Sequence, residues 1–86
     1  MQLLHDAASP MPTIKRFSQY RLVINERDHN PPHFHIRMND GREAWVKIDG
    51  MEIIHGRVTA REIADALRWA RENRHILMDK FEELQQ

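Results

Sequence analysis

Three histidines fall within seven residues of this 86-residue chain: His29, His33 and His35, with Asp28 ahead of the first and Pro31-Pro32 between. In an extended strand, residues two apart leave the same face about 6.6–7 Å from one another. His33 and His35 therefore point together, away from Phe34, Ile36 and Met38. The prolines donate no hydrogen bond and restrict the residue before them, so His29 has few paths, one of which folds over the start of the strand. Two imidazoles on a strand and a third from a loop can hold zinc or another divalent ion and leave one position for water. The expected metal set is His29, His33 and His35. The same side chains suit acid–base work, because histidine titrates near neutral pH. Arg37 and Lys47, expected on the same face, would meet phosphate charge during RNA cleavage, and the catalytic candidates are again His33, His35 and His29. The plainer alternative is three surface histidines beside a rigid turn. His55 is expected on the helix side of the last strand, His75 within the helix and His5 in an N-terminal tail.

These residues need a sheet to hold them. Tyr20, Leu22 and Ile24 alternate with Arg21, Val23 and Asn25, and Phe34, Ile36 and Met38 alternate with the histidines and Arg37; period two is the mark of a half-buried strand. Asp40-Gly41 and Asp49-Gly50 read as hairpin turns. A two-residue Asp49-Gly50 loop sets Ile48 against Met51, Val46 against Ile53 and Lys47 against Glu52, which keeps like with like on each face. A two-residue Asp40-Gly41 loop mixes the faces, whereas a longer or bulged one restores them, with Ile36 against Val46 and Phe34 against Ile48. Trp45 and Ile54 then lie outward as cross-strand neighbours.

Residues 59–84 read as helix. Thr59-Ala60-Arg61-Glu62 has capping-box spacing, and Ile63, Leu67, Ala70, Leu77, Phe81 and Leu84 form one apolar stripe. Arg74 interrupts the stripe beside Asn73, so a kink or split is expected near 72–74. The expected fold is α+β: a four-stranded antiparallel meander covered on one face by the C-terminal helix. Residues 1–10 read as an N-terminal extension and 11–86 as the single domain.

Thirteen basic residues balance thirteen acidic ones and there is no cysteine. Zero net charge argues against binding nucleic acid through bulk charge, and absent cysteine removes disulfides and thiolate metal sites. No apolar run approaches the roughly 20 residues that span a bilayer, and the N-terminus lacks the pattern of a signal peptide. The expected location is the cytoplasm, with no membrane contact.

Met11-Pro12-Thr13-Ile14, an aromatic-bearing first strand and Asp28-His29-x-Pro31-Pro32-His33-Phe34-His35 resemble a bacterial domain-of-unknown-function family. Its members open with Met-Pro-Thr-Ile and carry an Asp-His-x-Pro-Pro-His-x-His core. The resemblance spans residues 11 to about 84 and brings no activity, ligand or cofactor with it. It implies a setting: genes of the family often neighbour a gene for another small protein, in the manner of a toxin–antitoxin pair. The leading expectation is a small interaction module that self-associates and binds a cognate protein, with Arg37, Trp45, Lys47 and Ile54 as its binding residues. The rival is a metal-dependent or histidine-based nuclease acting on RNA.

Overall fold

The computed structural model describes residues 13–85; the expected N-terminal extension, residues 1–10, and the domain start at Met11 lie outside them. Among the described residues, five strands form one antiparallel sheet in chain order: β1 (Thr13–Arg16), β2 (Tyr20–Val23), β3 (His33–Met38), β4 (Glu43–Lys47) and β5 (Ile53–Gly56). Two helices follow, α1 (Ala64–Glu72) and α2 (Arg74–Leu84). The α+β class holds, but the sheet has five strands and not four. The additional strand is β1, which turns tightly into β2 through a bond from the Phe17 N–H to the Tyr20 carbonyl at 2.8 Å. It is only four residues long and sends little apolar surface inward beyond Ile14 and, just past its end, Phe17, so period two is not legible there.

One face of the sheet makes the core. Leu22, Phe34, Ile36, Ala44, Val46 and Ile48 are fully buried against Ile63, Leu67, Ala70, Leu77 and Phe81, the stripe that helical spacing selects. The histidines occupy the opposite parity of β3.

The β3–β4 turn corrects the expected register. Phe34 pairs with Val46 and Ile36 with Ala44, which leaves a three-residue loop, Asn39-Asp40-Gly41, closed by the Met38 N–H to the Arg42 carbonyl at 2.8 Å. Gly41 sits at φ +99, a conformation glycine enters without steric cost. Face parity is as expected; the strand is displaced by two residues.

At the next turn Val46 does pair with Ile53, but the loop is longer than two residues. The Ile48 N–H bonds to the Pro32 carbonyl at 3.0 Å instead of across the hairpin, and Met51 takes φ +61 to bring its side chain into the core. A bulge then shifts the pairing so that Trp45 faces His55. Ile54 is thus the extra residue, not the neighbour of Trp45, and His55 lies on the face away from the helices.

The helical region also starts later than expected. Thr59 and Glu62 make the capping pair, with the Thr59 N–H to Glu62 Oε2 at 2.9 Å and the Glu62 N–H to Thr59 Oγ1 at 3.3 Å. Residues 60–63 are nevertheless turns, with the N–H groups of Glu62, Ile63 and Ala64 reaching three residues back, and α1 begins at Ala64. The expected split falls at Asn73, whose Nδ2 donates to the Trp69 carbonyl at 2.9 Å, a local bond that competes with helix continuation. Arg74 breaks the apolar stripe because its Nε reaches the Ile48 carbonyl at 3.3 Å, capping the end of the sheet. Among the described residues no helix is long and apolar enough to cross a membrane.

Candidate metal centre

The segment between β2 and β3 brings the acidic member of the site to the strand. The Arg27 N–H, on a residue at φ +56, donates to the Leu84 carbonyl at 3.0 Å, and Gln85 Nε2 donates to the Asn25 carbonyl at 3.2 Å. The C-terminal end of α2 therefore anchors the loop, and Asp28 is carried over the start of β3. His33 and His35 are not on an open face: the loop and Trp45 cover them, leaving 1% and 3% exposed.

Each buried ring has one nitrogen assigned by its partner. His33 Nδ1 lies 2.8 Å from the Pro31 carbonyl, and His35 Nδ1 lies 2.6 Å from Glu43 Oε2. A carbonyl and a carboxylate only accept, so both Nδ1 atoms carry protons. In the neutral rings, both Nε2 atoms then present lone pairs. Those two atoms converge on Asp28 Oδ2, each at 2.9 Å. His33 Nε2 is buried there without a directed hydrogen bond to any partner, so its closeness to Asp28 is charge proximity alone. The donor atoms of Asp28, His33 and His35 all lie within 4.8 Å of one another.

Three acceptors facing inward need a cation between them. Burial raises the Asp28 carboxyl, but the imidazoles of His35 and His29 beside it, with the His29 N–H, outweigh it and hold the group down at about 2; Asp28 is a carboxylate. Asn25 Nδ2, 3.1 Å from His35 Nε2, fits that nitrogen as an acceptor. For a tetrahedral ion with bonds near 2.0–2.1 Å, ligand atoms stand about 3.3 Å apart, so metal entry asks for an opening of a few tenths of an ångström.

His29 stands beside this trio, its side chain 70% exposed. Its Nδ1 and its backbone N–H both lie 2.9 Å from Asp28 Oδ1, the oxygen turned away from the buried histidines' contact. Its ring is 5.7 Å from that of His33, centroid to centroid. A cleft lined by Asp28, His29, Asn30, Pro32, Phe81, Glu82 and Gln85 opens Asp28 and His29 to solvent beside the buried pair.

The remaining sequence candidates surround the centre. Trp45 packs against four histidines, with ring centroids 6.0 Å from His29, 5.4 Å from His33, 5.2 Å from His35 and 4.4 Å from His55. Lys47 pairs with His33 and Arg37 with Glu43 across the β3–β4 ladder, so both flank the trio on its own face. Ile54 lies apart, on the bulge. His75 is exposed on α2. Asp28, expected only as the neighbour of His29, stands with His33 and His35 where the expected metal set had His29; Glu43 and Asn25 are also passed over by sequence reasoning, since the contact of Glu43 with His35 depends on the three-residue loop.

Fold and site together define a small α+β domain with a buried two-histidine, one-carboxylate centre. The family described as Domain of unknown function (DUF4160) matches residues 19–82, and the chain belongs to it; the matched span contains every residue of the centre. Neither the curated proteins nor the solved structures contain a match to this chain.

Proposed function

We propose that this domain binds one divalent ion, zinc or another first-row metal, through Asp28 Oδ2 and the Nε2 atoms of His33 and His35, and that the site is hydrolytic. The observation that supports this reading is the pair of fixed tautomers: Pro31 and Glu43 take the Nδ1 protons and leave both buried Nε2 atoms turned to one carboxylate oxygen. Metal-binding histidines characteristically donate their other N–H to a carbonyl or carboxylate in this way. Three protein donors match the set that catalytic sites use, with a further position left for water. The ion would supply Lewis acidity to that water. His29 is the proton acceptor: its Nδ1–H is held by Asp28 Oδ1, which leaves Nε2 free to take a proton at the cleft.

Calorimetric titration of zinc into protein purified without a polyhistidine tag tests the reading. One equivalent should bind, and H33Q and H35Q should each abolish tight binding. Saturation at zero equivalents, or binding indifferent to both substitutions, would remove the proposal.

A second reading, the self-associating module with a protein partner, draws on Ile54 and Ile76, large apolar side chains left 43% and 45% exposed. Ile54 lies on β5, an edge of the sheet, where strands recruit other chains. Light scattering should show a dimer that Ile54→Glu dissociates; a clean monomer at high micromolar concentration would dismiss self-association through this edge.

A further inference from the structure

Beside the metal centre, the sheet carries a row that its own stability does not ask for. Arg16 pairs with Arg21, Arg21 with Arg37, and Arg37 with Glu43. Val23, two residues after Arg21, pairs with His35, so the row lies on the histidine face, one step along the strands from the site. Like charges directly opposite across a ladder are destabilising, and here two such pairs stand side by side. Among the described residues no ion pair engages Arg16 or Arg21; Arg16 is exposed and Arg21 half-buried.

We infer that this row is a binding strip for the phosphodiester backbone of a single-stranded nucleic acid, which it leads across the Asp28–His33–His35 centre. The inference rests on the hydrolytic reading above and names its substrate class. Guanidinium groups meet phosphate oxygens in a matched fork. The strip spans about 10 Å over three strands, longer than one phosphate. Arg21, level with Arg37 on the neighbouring strand, lies at one end of the histidine pair, and Lys47, opposite His33, at the other. Positive charge on both sides of the site suits a polymeric anion passing over it and not a small phosphate lodged beside it. Because the histidines are buried, the reacting linkage must bend inward, which a flexible single strand does and a stiff duplex resists. Zero net charge limits the contact to the strip, so binding should be modest and its salt dependence shallow.

Fluorescence anisotropy with a short labelled single-stranded RNA, and DNA of the same sequence, tests this. Three phosphate contacts, from Arg16, Arg21 and Lys47, give a slope of log affinity against log salt of about −2 for a single strand. R16Q/R21Q should reduce the slope to about −0.7 and weaken binding at low salt roughly tenfold. Zinc titration followed by Trp45 fluorescence should be unchanged in that variant, which shows the fold and centre intact. Stronger binding to RNA than to DNA would assign recognition of the 2′-hydroxyl; equal binding would assign the backbone alone. Unchanged affinity in R16Q/R21Q, equal binding of inorganic polyphosphate, or preference for the duplex would overturn the inference. Zinc binding without oligonucleotide binding removes the strip and keeps the centre; oligonucleotide binding with the expected slope but no zinc does the reverse.

Discussion

Replacing Glu43 by glutamine should weaken zinc binding about tenfold while leaving the fold in place. Glu43 touches no metal in the proposed site; it acts through His35, whose Nδ1 lies 2.6 Å from its Oε2. A hydrogen bond to a charged group is worth about 1.5–3 kcal/mol and a neutral one about 0.5–1.5 kcal/mol. Glutamine can still accept the Nδ1 proton through its carbonyl oxygen, so about 1–1.5 kcal/mol is lost, or roughly one decade of affinity. The carboxylate is one-third exposed, and solvent screening keeps the effect from being larger. Glu43→Ala leaves Nδ1 without a partner and frees the ring to turn, so its loss should approach a hundredfold. Competition against a chromophoric chelator measures both variants, with metal-free melting curves as the control for folding. Wild-type affinity in both would refute the argument that the Nδ1 partners prepare the site.

Metal itself should stabilise the domain. Zinc at a hundred times its dissociation constant adds about 2.7 kcal/mol, which for a chain of this size raises the melting temperature by more than about 10 °C; scanning fluorimetry with and without chelator reads it. Gly41→Ala should lower the melting temperature by about 4–8 °C, since the residue at φ +99 has no neighbour within 4 Å of an added Cβ and the cost of about 1 kcal/mol is backbone strain alone. Acid should remove a third contribution. The Arg42 guanidinium and the Thr59 N–H hold the Glu62 carboxyl at about 2, down from 4.5, so the unfolded state binds the proton more readily. The stabilisation is complete above pH 4.5 and is lost as pH falls towards 2; the melting difference between wild type and Glu62→Gln should close over that window.

Alternation alone put Phe34 and Ile36 in the core and turned His33 and His35 together, because period two admits only two faces. The pairing of Val46 with Ile53 followed from matching apolar residues, and the break at Asn73 from an arginine in an apolar stripe. What stayed hidden depended on loop length. Residues Asn39–Gly41 form a three-residue turn, and only that register sets Glu43 against Arg37 and within reach of His35. The same dependence hid the neighbour of Trp45, since the bulge at Ile54 exchanges Ile54 for His55. Burial of the histidines was not legible either: it arises from α2 holding the 25–27 segment at its far end, a contact between residues some sixty apart in the chain. Strand β1 had too few inward apolar residues to register as periodic.

X-ray absorption at the metal edge of the zinc-loaded, tag-free protein reads which side chains hold the ion. Four-coordinate zinc is expected, with two imidazole nitrogens and oxygen donors at about 2.0–2.1 Å, one imidazole's outer-shell scattering lost in His33→Gln and the oxygen shell altered in Asp28→Asn. A first shell of oxygen atoms alone, or two imidazoles that persist when His33 or His35 is replaced, would contradict it.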